Sequence, residues 1–158
     1  MNNARTPATV RFSSRLLDGG GHGGQVQHSN TLPLHTDEHV VGVRRVVREQ
    51  ALDLKLSLVE QTKLVTAASE LARNTIKYGG GGMVLAQTLS DGVRRGLRLV
   101  FADDGPGIAD IALALRDGYT SGGGLGLGLG GAKRLVDEFD IDSRSGEGTA
   151  VAITKWKK

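Results

Sequence analysis

Apolar residues recur at helical spacing in two neighbouring stretches of the chain. Either Thr36 or Asp37 can cap the first stretch, because both side chains can accept a hydrogen bond from a free backbone N–H group. The first stretch places four aliphatic side chains on one face of a helix: Val40, Val43, Val47 and Ala51.

The second stretch opens with Ser57 and Glu60, which have the spacing of a capping box. The predicted helix ends at Tyr78, because the four glycines at 79–82 cannot continue it. Its apolar face carries the following residues: Leu64, Ala68, Leu71 and Ile76.

Shorter apolar runs predict strands. A turn at 90–92 separates the runs 83–89 and 97–101, so these two strands form a hairpin. A second hairpin joins 141–145 to 150–156 through a glycine-containing turn. Two further predictions complete the pattern: a short edge strand around Leu32 and Leu34, and a third helix from Ala132 to Phe139.

This order of elements predicts a two-layer α/β sandwich. Strands joined by hairpins favour a mixed, mostly antiparallel sheet with the helices on one face. We expect one domain at 31–158, preceded by a flexible glycine-rich N-terminal extension at 1–30. Residues 108–121 read as a loop that contains one or two helical turns.

Composition narrows the classes of function. The chain has 158 residues, a net charge of +3 and no cysteine, which excludes disulfides and cysteine nucleophiles. No apolar run approaches the ~20 residues of a membrane span, and no signal peptide is visible, so we expect a cytoplasmic protein. No basic stripe interleaved with aromatic residues indicates a nucleic acid partner.

Polar residues cluster on one face of the second predicted helix. Glu70 and Asn74 are four residues apart, with Arg73 and Lys77 beside them. A solvated helix face would explain this pattern. Alternatively, Asn74 offers a neutral oxygen to Mg²⁺, and Glu70 can accept a proton from an attacking hydroxyl.

A second polar motif follows the strand at 97–101. Asp103, Gly105 and Gly107 are typical of a tight turn. The same residues can also bind a base, since the glycines admit a flat ring and a carboxylate accepts from an exocyclic amine. Adenine fits this chemistry better than guanine. Strand alternation separates Asp103 from Asp104, and the spacing to the glycines favours Asp103.

Glycines dominate residues 122–131, directly before the third predicted helix. Free N–H groups at a helix start can bind an anion. Gly126, Gly128 and Gly131 match a dinucleotide-binding pattern, but no strand precedes them, and no Walker Lys-Ser/Thr pair follows. A plain glycine linker would leave the interleaved leucines unexplained. Thr149 either belongs to a hairpin turn or supports the base pocket.

Together these motifs resemble the GHKL ATPase superfamily, named for gyrase, Hsp90, histidine kinases and MutL. Residues 70–74 resemble its N box, 103–107 its G1 box, 122–128 its G2 box and 148–149 its G3 element. The motifs look most like those of the RsbT-like switch serine/threonine kinases of bacterial stressosomes. The resemblance implies the Bergerat ATP-binding fold, with ATP and Mg²⁺ as cofactors.

The resemblance also implies roles for single residues. Glu70 would be the general base, Asn74 the Mg²⁺ ligand and Asp103 the adenine-binding carboxylate. Arg73 and Lys133 are candidates for phosphate or partner contacts. The remaining candidates for the nucleotide site are Gly105, Gly107, Gly124, Gly126, Gly128 and Thr149.

The implied function is transfer of the γ-phosphate of ATP to a Ser or Thr of STAS-domain partners in a stress pathway that works by partner switching. A PP2C-type phosphatase is a further expected partner. The alternative is an anti-sigma factor that sequesters an RNA polymerase sigma subunit.

Overall fold

The computed structural model describes residues 24–116 and 128–157. These residues form five strands and four helices in the predicted order, and the helical turn expected within residues 108–121 is a short helix. The elements are β1 Gln25–Leu34, α1 Asp37–Asp53, α2 Leu58–Lys77, β2 Gly82–Ser90, β3 Arg95–Asp103, α3 Ile111–Ala114, α4 Gly128–Arg134, β4 Glu138–Arg144 and β5 Gly148–Trp156.

The strands form one sheet in the order β1-β2-β3-β5-β4. Every neighbouring pair in this sheet is antiparallel, which agrees with the predicted mostly antiparallel sheet. Because β3 lies at the centre, its C-terminal residue Asp103 is flanked by Gly82 of β2 and Thr149 of β5.

The two long helices cover one face of the sheet, as predicted. The apolar face of α1 and that of α2 are buried in the main core. Thr36 caps α1 by accepting from the His39 N–H at 3.3 Å, and Ser57 caps α2 by accepting from the Glu60 N–H at 3.2 Å. The Glu60 carboxylate does not complete a capping box, since it pairs with Lys155 of β5 instead.

The N-terminal boundary differs from the prediction. Residues 25–30 belong to β1 and pair with β2, whereas the sequence assigned them to a flexible extension. This strand has almost no buried face, so its residues are polar and show no alternation to reveal it. Residues 1–23 of the predicted extension lie outside the described residues.

The third predicted helix was also misplaced. It spans Gly128–Arg134 rather than Ala132–Phe139, and residues 138 and 139 begin β4. Glycine has a low helix propensity, so the pattern placed the helix start too late. Pairing of Glu138 with Thr154 and of Phe139 with Ile153 overrides the helical spacing at the other end.

None of the helices in the described ranges is long and apolar enough to cross a membrane.

Candidate functional site

A cavity of about 1010 Å³ lies between α2 and the ends of the central strands. This volume is in the range of small-molecule sites, about 300–1,000 Å³. The loop at 106–110 and the start of α4 close its other sides. The lining includes these candidate residues: Glu70, Arg73, Asn74, Asp103, Gly107, Gly128 and Thr149.

Helix α2 supplies the polar wall of this cavity. Glu70, Arg73, Asn74 and Lys77 all line it, because the opposite face of the helix is buried in the core through residues such as Ala68. The wall therefore combines one carboxylate, one amide and two cations along less than two helical turns. A cluster of this composition can bind the phosphates of a nucleotide together with a cation.

Asp103 lies at the inner end of the cavity. It is 8% exposed, and its Oδ1 accepts a hydrogen bond from the Gly105 N–H at 2.9 Å. The neighbouring Asp104 is exposed and does not line the cavity. The structure thus places Asp103 in the cavity, and its carboxylate is the one that can meet a ligand there.

Gly79 lies beside this carboxylate and was not among the sequence candidates. A Cβ at position 79 would stand 2.3 Å from Asp103 Cγ, and a Cβ on Gly105 would stand 2.7 Å from Gly79 Cα. Both positions therefore need glycine for close packing around Asp103. The run of four glycines at 79–82 is visible in the sequence, but on its own it predicts only the end of the helix.

The turn that follows is fixed by β4 and β5. Gly107 has a φ of +77°, and a Cβ there would lie 2.2 Å from the Arg144 carbonyl oxygen. The Ile108 N–H donates to Ser143 Oγ at 2.7 Å, and that hydroxyl lies 2.7 Å from Thr149 Oγ1. Ser143 was missed because it belongs to no glycine motif, although it connects Thr149 to the loop.

The first residue of α4 contacts the general-base candidate. The Gly128 N–H donates to Glu70 Oε1 at 3.2 Å, across 58 positions in the chain. Gly128 has a φ of +68°, a conformation that favours glycine. The contact places the Glu70 carboxylate directly at the end of the glycine run.

Four candidates stand apart from this group. Gly105 does not line the cavity, although its N–H donates to Asp103 Oδ1. Gly124 and Gly126 lie outside the described residues. Lys133 does not line the cavity; its Nζ lies 6.0 Å from the centre of the Phe139 ring, so the expectation of a phosphate contact is not supported. The nearer cations are Arg73 and Lys77 of α2, and Arg44 of α1 also reaches the lining.

The oxygen donors of the cavity fit Mg²⁺ only if a bound ligand supplies further oxygen atoms. Within the described residues, no group of three or more His, Asp or Glu side chains could hold a metal. Asn74 and Glu70 offer oxygen atoms, and Mg²⁺ usually combines one or two protein oxygens with waters and substrate phosphates. The residues present therefore fit a Mg²⁺–nucleotide complex better than a permanently bound metal.

Comparisons with known proteins agree with this chemistry. Residues 34–155 match the family model described as a histidine kinase-like ATPase domain. The serine/threonine-protein kinase RsbT of Bacillus subtilis is 42% identical over 121 residues, which cover 77% of this chain and 91% of RsbT.

Two further likenesses are weaker. An anti-sigma F factor of a Thermoanaerobacter species is 29% identical, covering 72% of this chain and 82% of the relative. A crystal structure of RsbU and RsbW domains from Mycobacterium tuberculosis matches with a TM-score of 0.58 at 20% identity, covering 84% of this chain but 34% of that one. At this identity the likeness supports the fold alone.

Proposed function

Because the chain belongs to the histidine kinase-like ATPase domain family, and within it to the RsbT-like serine/threonine protein kinases, we propose that it phosphorylates a Ser or Thr of a STAS-domain partner. ATP is the phosphate donor, and Mg²⁺ acts with it. In this proposal the kinase exchanges partners as their phosphorylation changes, within a bacterial stress pathway.

The observation that carries the proposal is the position of Glu70. Its carboxylate lines the cavity one helical turn from Asn74, so a proton acceptor and a metal-binding oxygen share one wall. A module that only binds ATP needs no proton acceptor there. In the proposed reaction, Glu70 takes the proton of the partner's hydroxyl as this oxygen attacks the γ-phosphorus, the bond to the β,γ-bridging oxygen breaks, and ADP leaves.

The other candidate residues in and beside the cavity hold and orient the nucleotide. Asp103 accepts a hydrogen bond from the exocyclic amine of adenine, while Gly105 and Gly107 let the ring approach the backbone. Bound Mg²⁺ supplies charge neutralisation at the phosphates, and Asn74 contributes an oxygen to it. Arg73 adds positive charge at the same wall.

The glycine run is the proposed source of phosphate contacts. We propose that the backbone N–H groups of Gly124, Gly126 and Gly128 donate to the phosphates. Gly128 is the one of these three within the described residues, and its N–H already points at an anionic group, the Glu70 carboxylate. Thr149 supports the base pocket through its contact with Ser143.

A kinase assay tests the proposal. The chain is incubated with labelled ATP, Mg²⁺ and a STAS-domain protein encoded near it, and phosphoserine or phosphothreonine is measured. Glu70→Gln keeps an oxygen that can accept from Gly128 but removes the base, so transfer should fall by about 10²–10⁴-fold with ATP affinity retained. The matched control is Glu49→Gln, an exposed glutamate of α1, which should retain full activity.

A pull-down of binding partners distinguishes the kinase proposal from the anti-sigma alternative. Recovery of a sigma subunit by the chain, with no transfer to any neighbouring STAS protein, would replace the kinase proposal with sequestration of the sigma subunit. The anti-sigma F factor is the weaker relative, at 29% identity against 42%. In the kinase pathway, a PP2C-type phosphatase is the further partner that we propose.

A further inference from the structure

The nucleotide cavity is also lined by hydroxyl side chains of the chain itself. Among the Ser and Thr residues that line it in the described ranges, Thr66 of α2 is the exposed one. Ser69 and Thr75 are 6% and 4% exposed, and each hydroxyl donates to the backbone carbonyl four residues earlier. Thr149 is half-buried, and its hydroxyl lies 2.7 Å from Ser143 Oγ. Thr66 is therefore the aliphatic hydroxyl that is most open to a ligand in this cavity.

Thr66 stands in one row with the two residues of α2 that the proposed reaction uses. Thr66, Glu70 and Asn74 follow one another at four-residue intervals, and all three line the cavity. Neighbours in such a row are about 6 Å apart along the helix axis, with their Cβ atoms about 5–6 Å apart. Long helical side chains lean towards the N-terminus, so the Glu70 side chain extends over the turn that carries Thr66. The row thus sets the general base between a hydroxyl and the metal-binding amide.

The hydrogen bond that the Thr66 hydroxyl makes in this structure is easily exchanged. Its Oγ1 donates to the Thr62 carbonyl oxygen at 2.7 Å. Threonine in a helix occupies two χ1 rotamers, and the bond to the preceding turn belongs to one of them. At an exposed position water replaces a lost neutral hydrogen bond, so rotation of the side chain costs little. The Thr66 hydroxyl can therefore turn towards a phosphate in the cavity.

Positive charge is available for a phosphate on Thr66. Arg44 of α1 is exposed and lines the same cavity, and Arg73 lines it about two helical turns beyond Thr66. Arginine can pair with a phosphate through two parallel N–H···O bonds. A phosphothreonine carries a charge of about −1.5 to −2 at pH 7, and these two arginines can offset its repulsion from the Glu70 carboxylate.

We propose that the chain phosphorylates its own Thr66 within the same molecule. This inference rests on the proposed kinase function and adds a second acceptor to it. Thr66 Oγ1 bonds to the γ-phosphorus as its proton passes to Glu70, the bond to the β,γ-bridging oxygen breaks, and ADP leaves. Glu70 then releases the proton to water. Because Thr66 and a partner's hydroxyl need the same base, the two acceptors compete.

Autophosphorylation of the full chain tests the inference. The chain is incubated with γ-labelled ATP and Mg²⁺ in the absence of any partner, and mass spectrometry locates the labelled residue. We expect phosphothreonine at position 66, formed with a first-order rate constant that does not change on dilution. A rate constant that falls on dilution would assign the transfer to a second copy and would overturn the inference.

Substitutions at two threonines of α2 provide matched variants. Thr66→Ser keeps the hydroxyl, so the label should change from phosphothreonine to phosphoserine at the same position, whereas Thr66→Ala should lose it. Thr62→Ala is the control. Thr62 is exposed one turn earlier, and its hydroxyl donates to the Leu58 carbonyl oxygen at 2.9 Å, but it does not line the cavity. This control should keep the full label, and equal losses in Thr66→Ala and Thr62→Ala would overturn the inference.

A STAS-domain partner added to the same reaction separates this inference from the kinase proposal. An excess of partner should lower the label on Thr66 while the partner itself becomes labelled, because both hydroxyls compete for Glu70. Label on the partner with none on Thr66 would overturn the inference and leave the kinase proposal standing. No label on either protein would overturn both, and label at another residue of the chain would overturn the assignment to Thr66.

Discussion

At the scale of single residues, the site depends on how closely backbone approaches the Asp103 carboxylate. Gly79 and Gly105 both lie next to it and against each other, and a Cβ on Gly79 would overlap with Asp103 Cγ. Gly79 does not have a positive φ, so its backbone conformation would suit other residues. Space, rather than conformation, is what requires glycine at this position.

We therefore expect Gly79→Ala to weaken ATP binding. The added methyl group would displace the Asp103 carboxylate and break its bond from the Gly105 N–H. A hydrogen bond to a charged group contributes about 1.5–3 kcal/mol, so Kd should rise by about 10- to 150-fold. Titration with a fluorescent ATP analogue measures the change.

Gly80→Ala is the matched control for this substitution. Gly80 has a φ of +73° but no neighbouring atom within 4 Å of an added Cβ. Alanine there strains the backbone and costs about 1 kcal/mol or more of stability, yet leaves Asp103 in place. Equal losses of affinity in both variants would show that general destabilisation, and not the carboxylate, controls binding.

The choice between Asp103 and Asp104 shows what sequence can predict for single residues. Strand alternation separates the two side chains, and the structure places only Asp103 in the cavity. Gly79 and Ser143 could not be found in this way. Their roles come from contacts between segments that are distant in the sequence, such as the Ile108 N–H with Ser143 Oγ.

At the scale of elements, a buried lysine connects the start of α2 to the sheet. Lys155 of β5 has a side chain that is 5% exposed, and it pairs with Glu60 and with Asp137, which precedes β4. Its hydrogen bond to the Glu60 carboxylate lowers the pKa of that carboxyl group below the ordinary value of 4.5. The connection thus holds the N-terminal turn of the helix that carries the cavity wall.

This connection predicts a pH-dependent stability. The unfolded chain binds a proton at Glu60 at a higher pH than the folded chain, so the stabilisation is complete above the ordinary pKa of 4.5. It is lost as the pH falls through the lowered pKa. Glu60→Gln should cost about 1–3 kcal/mol at neutral pH and should show a flatter pH dependence than the parent chain.

Urea unfolding at a series of pH values, from neutral to below 4.5, measures this difference. Glu49→Gln removes an exposed glutamate of α1 and should follow the parent curve. Parallel curves for the parent and Glu60→Gln would mean that the pair with Lys155 does not contribute to the acid sensitivity of the fold.

Element boundaries were predictable where a buried face imposes a period. The buried faces of α1 and α2 match the predicted spacing, because each helix has one side in the core. The ends of β1 and α4 were not predictable. Residues 25–30 have no buried face, and Glu138 leaves the helical pattern because it pairs with Thr154 of β5.

At the scale of the whole molecule, the sequence pattern predicts a layer of helices on a sheet. The cavity forms where these two layers meet. Helix α2 packs on the central strands, so its polar side meets the C-terminal end of β3 and the start of β5. Three motifs that are far apart in the chain thereby converge on one site.

A site assembled from several elements predicts that ATP stabilises the entire fold. At ATP concentrations about 100 times Kd, binding adds about 2.7 kcal/mol. For a chain of this size, such a gain should raise Tm by about 5–11 °C. The rise should require Mg²⁺, and GTP should not reproduce it, since guanine has a carbonyl where adenine donates to Asp103. Thermal unfolding followed by circular dichroism measures these shifts.

Adjacent carboxylates provide the control for this measurement. Asp103→Asn replaces the acceptor in the cavity and should abolish the ATP-dependent rise in Tm. Asp104→Asn makes the same change on the exposed neighbouring residue and should preserve the rise. An equal rise in both variants would exclude Asp103 as the adenine-binding residue.

Because Glu70 lies on α2 and not at the base pocket, Glu70→Gln should keep the full rise while phosphate transfer is lost.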